Sequence, residues 1–292
     1  MQPVIADRST NRSMESLKKI HPHTVPVVLL LACSGLLLCM AAAAAFGWNR
    51  PLRASGSPAA AADRPLRFMT YNIRHAEGLD GHVRLSEIRR QLERGGADVI
   101  ALQEVDRYRW RSGLQDQVSA LAKSLRMYYA YSPAVRHGLS QYGIALLSRY
   151  PLDRVRTYLL PGGNGTEPRT VLTAQLKLGP ERPMTLLTTH LGVTRREREL
   201  QMPALLAILH AVETPLVVLG DFNMPDSDPL VNGLHLMLVP VPLESSQATL
   251  AYGGQADHIY TSMDSGSMAW VQASPASDHL PVFCQLDLSA IR

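Results

Sequence analysis

The chain has 292 residues, of which 46% are hydrophobic, so it is long and apolar enough for a globular protein with a large core. The formal net charge of +4 arises in the first 66 residues, which hold 7 of the 29 basic and 3 of the 25 acidic side chains; residues 67–292 are neutral. A neutral body argues against non-specific binding to nucleic acid, which depends on many contacts between cations and phosphates. Cys284 is the one cysteine after residue 66, so a disulfide within the body is excluded.

The N-terminal part of the sequence predicts a membrane segment. Residues 25–48 contain no charged side chain and are long enough for a helix that crosses a bilayer. Residues 1–24 are basic, so the positive-inside rule keeps them in the cytoplasm and sends the rest of the chain across the membrane. Residues 25–48 are either an uncleaved signal anchor, which their length favours, or a signal peptide cleaved near Ala41–Ala45, which would release a secreted protein. Residues 49–65 are rich in Pro, Gly, Ser and Ala and predict a flexible linker.

From Leu66 onward, the apolar pattern alternates between strand and helix periods. Strands are predicted at residues 66–72, 97–104, 143–150, 170–178, 183–191, 215–223, 257–262, 268–273 and 280–288. Helices are predicted at residues 83–95, 115–126 and 197–212, the last with Pro203 in its first turn or at a kink. Strands both precede and follow helices, and the turn at 179–182 predicts a hairpin. The predicted fold class is therefore α/β, a four-layer α/β sandwich of two packed mixed β-sheets flanked by helices.

Polar side chains stand at the ends of several predicted strands. These residues are Asn72 in TYNI, Glu104 in ALQEVD, His190 in TTHL, Asp221 and Asn223 in LGDFN, and Asp278 and His279 in SDHLP. Removing a carboxylate from water is costly unless it is paired or bound to a metal. If the loops at one end of the sandwich bring these residues together, they form a divalent-metal site with acid–base groups beside it.

Taken alone, each of these residues has a structural as well as a functional interpretation. Glu104 could bind a hard metal ion or simply emerge into solvent, and Asn72 could orient a phosphate oxygen or cap a turn. Gly220 lets the chain turn where its strand ends. Asp221 and Asn223 are two residues apart, so they are expected on the same side of an extended chain.

The histidines supply the predicted proton chemistry. Asp278 and His279 are adjacent, so they are expected to face opposite sides and to differ in role. Asp257 opens an earlier strand and could hold the His279 ring in one tautomer. His190 could donate a hydrogen bond to an oxyanion or a leaving group, although the sequence shows no partner for it.

The ordered set of motifs resembles the endonuclease/exonuclease/phosphatase family, which includes DNase I-like nucleases, inositol polyphosphate 5-phosphatases and neutral sphingomyelinases. The motifs follow the family's order over residues 66–288: TYNI, QE, SRYP, THL, GDFN, a strand opened by Asp257, and SDHLP. The resemblance implies that residues 66–292 are a catalytic domain that hydrolyses a phosphodiester or phosphomonoester. It also indicates a bacterial, membrane-anchored member of the family.

The resemblance implies a cofactor and a set of roles. Glu104 would bind Mg²⁺ or Mn²⁺ with Asn72 beside it, and Asp278 would help complete the metal shell. Asp221 would orient or deprotonate the attacking water. The remaining residues would act on the phosphate, its leaving group or the transition state: His190, Asn223, and His279 paired with Asp257.

Some positions depart from the family's pattern. Many nucleases of the family have an acidic residue shortly after the first Asn, where this chain has Arg74 and His75. Arg74, His75 and Arg169 could bind a second phosphate or a head group, or they could be surface side chains. Nucleic acid, lipid phosphodiester and soluble phosphate ester therefore all remain open as substrates. The sequence indicates no obligate protein partner, and the membrane would be contacted through residues 25–48.

Three other classes of protein fit the sequence less well. A serine hydrolase needs a nucleophile turn such as G-x-S-x-G, and the nearest stretch, GLSQYG at 138–143, has the wrong spacing. A zinc hydrolase needs His or Cys ligands at helical or CxxC spacing, which the body lacks. A non-catalytic binding module is least favoured, because every expected polar position is filled.

Overall fold

The structure is a computed structural model that describes residues 64–179, 183–212, 215–245, 247–263 and 266–287. Its strands are β1 Leu66–Asn72, β2 Val99–Arg107, β3 Tyr128–His137, β4 Ser140–Ser148, β5 Leu152–Leu159, β6 Thr170–Lys177, β7 Pro183–His190, β8 Leu216–Asp221, β9 Val239–Pro240, β10 Asp257–Thr261, β11 Ala269–Val271 and β12 Val282–Leu286. Its α-helices are α1 Leu85–Gly95, α2 Gln117–Leu125, α3 Arg195–His210 and α4 Asn232–His235. Short 3₁₀ turns lie at Arg74–Ala76, Trp110–Ser112 and Pro229–Val231.

The strands form two six-stranded sheets. The first has the order β11-β12-β1-β2-β4-β3, and the second has the order β5-β6-β7-β8-β10-β9. Each sheet contains one parallel pair, β1 with β2 and β7 with β8, and the other neighbours are antiparallel. Both sheets are therefore mixed, as predicted.

Three apolar clusters separate the four layers. Between the sheets, inward-facing residues such as Phe68 of β1 and Leu186 of β7 share one buried core. On the outer face of the first sheet, Met69 packs with Ile88 of α1 and with residues of α2. On the outer face of the second sheet, the residues of β7 and β8 pack against α3, for example at Leu205. Each fully buried leucine of this kind stabilises the fold by about 1.5–3 kcal/mol. The predicted four-layer α/β sandwich is confirmed.

Local chemistry explains where the helices begin and end. Thr194 caps α3 through a reciprocal pair of hydrogen bonds with Glu197, so the helix begins two residues before the predicted position 197. Pro203 lies inside α3 rather than in its first turn. Helix α1 ends at Gly95, and the capping residue Gly96 has a left-handed φ of 57°, a conformation that favours glycine.

The predicted strands were correct in order but incomplete. Strands β3, β5 and β9 were missed, and the predicted strand 143–150 spans 140–148 in the structure. The strand predicted to end at Glu104 continues to Arg107, because a register shift between Leu102 and Val105 lets the ladder pass Glu104. The predicted hairpin between β6 and β7 is present, with Lys177 paired to Pro183.

One end of the sandwich collects the predicted polar residues. Strands β1, β2, β7 and β8 end there, and their antiparallel neighbours β10 and β12 begin there. We call this end, defined by Asn72, Glu104, His190, Asp221 and His279, the site end. Strand β1 starts at Leu66, so the chain enters the sandwich at the opposite end.

The N-terminal predictions for residues 1–24 and 25–48, and the linker up to residue 63, lie outside the described residues. Within the described residues, no helix has both the length and the apolar composition needed to cross a bilayer. Arg64, at the end of the predicted linker, donates two hydrogen bonds to the carboxylate of buried Asp98, at 2.9 and 2.7 Å. Arg64, the first described residue, therefore already contacts the body.

Candidate active site

Asn72 connects the two sheets at the site end. Its side chain is fully buried at the end of β1, and its Nδ2 donates to Oε1 of Glu104 at 3.1 Å and to Oδ2 of Asp221 at 2.9 Å. Glu104 belongs to the first sheet and Asp221 to the second. The Oγ of Ser277 donates to the carbonyl oxygen of Asn72 at 2.8 Å, which fixes the loop before His279 against the end of β1. One amide thus sets the spacing of two carboxylates from different layers.

Glu104 lies at the bulge of β2. Its backbone has a φ of 58°, a left-handed conformation that is unusual for a residue with a side chain. Burial opposes ionisation of this carboxyl, but the facing His75 ring and the Asn72 amide outweigh it and lower the pKa of Glu104 to about 2. Glu104 therefore carries its negative charge throughout the physiological pH range.

Asp221 lies at the centre of the arrangement. It ends β8, directly after Gly220, where a Cβ would stand 2.5 Å from the carbonyl oxygen of Thr189 in the neighbouring strand. Its Oδ2 lies 3.4 Å from Nε2 of His190 and 3.7 Å from Nε2 of His279. Burial, and next the charge of Asp257, raise the pKa of Asp221 to about 7. A carboxylate of that basicity can accept a proton near neutral pH.

His279 forms a buried pair with Asp257. Its Nδ1 lies 2.8 Å from Oδ2 of Asp257, which leaves Nε2 directed toward Asp221. Burial lowers the proton affinity of the ring, but the charges of Asp257, Asp221 and Asp278 more than offset it and raise the pKa of His279 to about 10. His279 is therefore an imidazolium at neutral pH.

His190 is the second imidazole beside Asp221, but its neighbour is a cation, whereas the neighbour of His279 is a carboxylate. Its Nδ1 lies 3.0 Å from a guanidinium nitrogen of Arg169, which can only donate a hydrogen bond, so Nδ1 is the acceptor and Nε2 carries the ring proton. Burial and the charge of Arg169 lower the pKa of His190 to about 3. Arg169 itself is only 6% exposed and also pairs with Glu167 at 2.9 Å. The sequence analysis found no partner for His190; the structure places Arg169 there, and a direct role of Arg169 in substrate binding stays a prediction.

Asn223 reaches its position by a turn rather than by strand alternation. Strand β8 ends at Asp221, and Asn223 has a φ of 53°. Its backbone N–H donates to Oδ1 of Asp221 at 2.9 Å, and its Nδ2 donates to the carbonyl oxygen of Leu191 at 2.8 Å. The expectation that Asp221 and Asn223 share a strand face was wrong, because the strand is already over. The turn still places Asn223 beside the segment that follows His190.

Arg74 and His75 belong to a network around Glu77, a residue that the sequence analysis did not single out. Arg74 lies 3.1 Å from Glu77 and 3.4 Å from Oδ2 of Asp278, while Nε2 of His75 lies 3.3 Å from Glu77. His75 is buried, and its Nδ1 lies 3.9 Å from Oε2 of Glu104. Both residues have a positive φ, of 43° and 44°. This strained turn holds a cation and an imidazole against the acidic side of the site.

Two sets of side chains could hold a metal. One oxygen or nitrogen atom from each of Asp221, Asp257 and His279 lies within 4.8 Å of the others, and all three residues are buried. The second set is the one predicted from the sequence, Glu104 with Asn72 and Asp278, which would offer only oxygen ligands, as Mg²⁺ prefers. Among the described residues, Nδ1 of His75 and Oδ1 of Asp257 are buried without a hydrogen-bond partner, so polar groups on both sides of the site are left for something else to satisfy.

The order of these residues along the chain matches a known family. A model of the endonuclease/exonuclease/phosphatase family matches residues 69–279, which contain every site residue named above. The chain belongs to this family. Its members hydrolyse ester bonds of phosphate groups, generally with a divalent metal, so the protein is a hydrolase acting on ester bonds. Comparison with curated protein sequences gives no match.

Solved structures of the family share the fold. An endonuclease/exonuclease/phosphatase from Beutenbergia cavernae is 21% identical with a TM-score of 0.62, covering 78% of this chain and 72% of that one. The catalytic domain of human Nocturnin, with a bound sulfate anion, is 20% identical with a TM-score of 0.57, covering 76% and 93%. A mannosyl-6-phosphatase from Bacteroides thetaiotaomicron is 16% identical with a TM-score of 0.60, covering 76% and 99%. At these identities the likeness establishes the fold, and function has to be argued from the site.

Proposed function

We propose that the protein is a Mg²⁺- or Mn²⁺-dependent phosphoesterase in which Asp221 prepares a water molecule for attack on a phosphodiester or phosphomonoester. The observation that carries the proposal is the position of the Asp221 carboxylate between a neutral imidazole and an imidazolium, with Asn72 holding it in place. A base, a fixed donor and a positive charge converge there on one small volume. Phosphoryl transfer requires that combination, because it depends mainly on positioning and on neutralising charge.

Asp221 acts on the water. Its raised pKa, to about 7, makes it a stronger base than an ordinary aspartate, and burial keeps bulk water away from it. The Asn72 amide and the backbone N–H of Asn223 each occupy one of its oxygens, so the carboxylate is held in a single orientation. Because the base is already oriented, no entropy is lost in aligning it with the water molecule during the reaction.

His279 acts on the phosphate. As an imidazolium paired with Asp257, it donates from Nε2 to a non-bridging oxygen, where negative charge accumulates in the transition state. His190 donates from Nε2 while remaining neutral, so it supplies a second hydrogen bond without a second full charge. Asn223 lies beside the backbone that follows His190 and holds the phosphate from that side.

Glu104, Asn72 and Asp278 are the residues that would hold the metal. Glu104 remains ionised because its pKa is lowered to about 2, and oxygen ligands suit Mg²⁺ better than the imidazole of the buried Asp221, Asp257 and His279 set. A bound divalent cation would neutralise phosphate oxygens and lower the pKa of a coordinated water. Arg74 and His75 flank Glu104 and Asp278, where they contact the rest of the substrate.

The predicted segment 25–48 supports a location on the extracytoplasmic side of a membrane, either anchored or released after cleavage. One neighbour of the same fold is named a mannosyl-6-phosphatase, which is a precedent for a monoester substrate. A nuclease is the second candidate. The neutral charge of residues 67–292 disfavours it, because duplex binding needs an excess of cations.

The test is turnover of bis-p-nitrophenyl phosphate and p-nitrophenyl phosphate with Mg²⁺ or Mn²⁺. We expect activity that EDTA abolishes and added metal restores. Asp221→Asn and His279→Ala should each lower kcat by roughly 10²–10³-fold. Asp221→Asn should keep a melting temperature close to that of the parent, whereas His279→Ala should stay folded but melt at a lower temperature, because buried Asp257 loses its partner. Asp226→Asn is the matched control, because Asp226 lies in the same loop but bonds to Tyr260 and His235 outside the site. Full activity in EDTA, or an Asp221→Asn variant as active as the control, refutes the proposal.

A further inference from the structure

The exposed apolar side chains are unevenly distributed over the sandwich. Six large apolar side chains of the described residues are more than half exposed: Trp110 at 86%, Leu114 at 52%, Leu159 at 72%, Val193 at 66%, Tyr252 at 83% and Leu236 at 88%. The first five lie in loops or strand ends at the site end, and only Leu236 lies toward the other end. We call Trp110, Leu114, Leu159, Val193 and Tyr252 the apolar rim.

Each part of the apolar rim lies close to a site residue, either along the chain or through a contact. Trp110 and Leu114 lie in the loop after β2, and Arg111 of that loop pairs with Asp106, two residues beyond Glu104. Leu159 ends β5 opposite Thr170, next to Arg169.

The other two rim positions lie on the remaining sides of the site. Val193 follows His190 by three residues, and its carbonyl oxygen accepts a hydrogen bond from Arg198. Tyr252 lies in a turn whose neighbour Ala251 donates from its backbone N–H to the carbonyl oxygen of Asp278, at 2.8 Å. The rim therefore comes from four separate segments at the site end instead of from one stretch of chain.

We infer that the apolar rim docks on the surface of a lipid bilayer and that the substrate is a phosphate ester carried by a membrane lipid. This inference rests on the proposed function for its chemistry, but the docking can be measured without turnover. Trp and Tyr are the side chains that favour the interface between headgroups and acyl chains. Arg109 and Arg111 flank Trp110 and share the single carboxylate of Asp106, so they leave one net positive charge beside the rim, which complements anionic headgroups.

Single-stranded nucleic acid is the competing partner, and the rim fits it less well. Bases stack on aromatic rings, but Leu114, Leu159 and Val193 offer no flat face to stack on. Aliphatic side chains gain by leaving water for acyl chains. The 22 basic and 22 acidic side chains of residues 67–292 also provide no general attraction for a polyanion.

The predicted linker, residues 49–65, is long enough for docking. The chain enters the sandwich at Leu66, at the end opposite the rim. Strand β2, with its nine residues, spans about 30 Å of the sandwich. A chain of the length of residues 49–65 can extend to roughly 60 Å, so a body anchored through residues 25–48 can turn its site end back to the membrane. Deleting residues 51–60 leaves a reach of about 25 Å, which is too short.

The first experiment measures insertion of Trp110. The full chain with Trp48→Phe and Trp270→Phe, in which Trp110 is the single tryptophan, is reconstituted in vesicles of phosphatidylcholine and phosphatidylglycerol. We expect brominated phosphatidylcholine to quench its fluorescence at least twofold. Two matched proteins should show little quenching: one with the further changes Trp110→Phe and Leu236→Trp, which reports from the opposite end, and one lacking residues 51–60. Equal quenching of all three proteins, or quenching of Trp110 by single-stranded DNA but not by brominated lipid, overturns the inference.

The second experiment measures turnover. A variant with Trp110→Ser, Val193→Ser and Tyr252→Ser should hydrolyse bis-p-nitrophenyl phosphate within twofold of the parent. It should release headgroup from phosphatidylglycerol vesicles at least tenfold more slowly than the parent, whereas Leu236→Ser should not. Equal rates on vesicles in the parent and the triple variant, or a parent that cleaves the soluble diester but no vesicle lipid, overturn the inference. A parent inactive on both substrates overturns the proposed function instead.

Discussion

Replacing Asp257 by Asn should change how the stability of the protein depends on pH. Asp257 is fully buried, and its carboxylate pairs with Nδ1 of His279 at 2.8 Å. The difference between a folded-state pKa of about 10 and the ordinary value of 6.5 corresponds to roughly 5 kcal/mol in favour of the imidazolium. Because the pKa is raised on folding, this stabilisation is fully present below pH 6.5 and is lost as the pH rises through 10.

The window from pH 7 to 9 isolates this effect. Asp221 also has a raised pKa, of about 7, so its carboxyl costs the fold stability as the pH rises from 3.8 through 7. Above pH 7, the parent should lose roughly 2.5 kcal/mol of unfolding free energy by pH 9 through His279 alone. In Asp257→Asn that loss should shrink to less than half. The variant should also be less stable at pH 7 by about 3–5 kcal/mol, since a buried ion loses its partner.

Urea unfolding, followed by tryptophan fluorescence at constant ionic strength, measures both quantities in a fragment that begins at Asp63. Asp153→Asn is the control, because Asp153 pairs with Lys177 in an exposed ion pair that does not involve a histidine. The control should keep the slope of the parent. If Asp257→Asn loses as much stability between pH 7 and 9 as the parent does, the charge of Asp257 does not hold the proton on His279, and the reasoning is wrong.

Two further predictions follow from polar contacts outside the reacting centre. Replacing Arg169 by Met should remove the hydrogen bond to Nδ1 of His190, so two-bond ¹H–¹⁵N spectra should show both ring tautomers where the parent shows only the Nε2–H form. The kcat should fall about tenfold with little change in KM. An unchanged spectrum would show that Arg169 does not select the tautomer. A fragment beginning at Pro65 should unfold with about 1 kcal/mol less free energy than one beginning at Asp63, because it lacks the half-exposed Arg64 pair with Asp98; equal urea midpoints would contradict this.

Most of the buried framework could be predicted from the sequence, because central strands and amphipathic helices have characteristic spacings of apolar residues. The strands that were missed, β3, β5 and β9, are all edge strands of their sheets. No residue of β5 is buried and β9 has only two residues, so neither shows an apolar strand pattern. Half of strand β3 is buried, but Pro133 inside it argues against a strand in the sequence. Exposure, short length and an internal proline are therefore what hid these three strands.

At the site, sequence reasoning found the residues but not their local geometry. The bulge at Glu104 and the turn at Asn223 both depend on positive φ angles. Non-glycine residues adopt such angles rarely, and the hydrophobic periodicity of the sequence does not predict them. The pairing of Arg169 with His190 joins residues from different strands, so it emerges only once β6 and β7 are in register. The charge states of the two histidines follow from such contacts and could not be predicted from the sequence.

Because Asn72 of the first sheet donates a hydrogen bond to Asp221 of the second, the orientation of the Asp221 carboxylate depends on the relative position of the two sheets. Gln103, one residue before Glu104, forms a second cross-connection, donating to Thr188 of β7 at 3.2 Å. A slide of one sheet past the other by a single ångström would stretch the 2.9 Å contact beyond hydrogen-bonding range and turn the carboxylate away from its histidines. The catalytic rate should therefore be sensitive to the relative position of the two sheets. It should decrease at low denaturant concentrations at which both sheets still keep their strands.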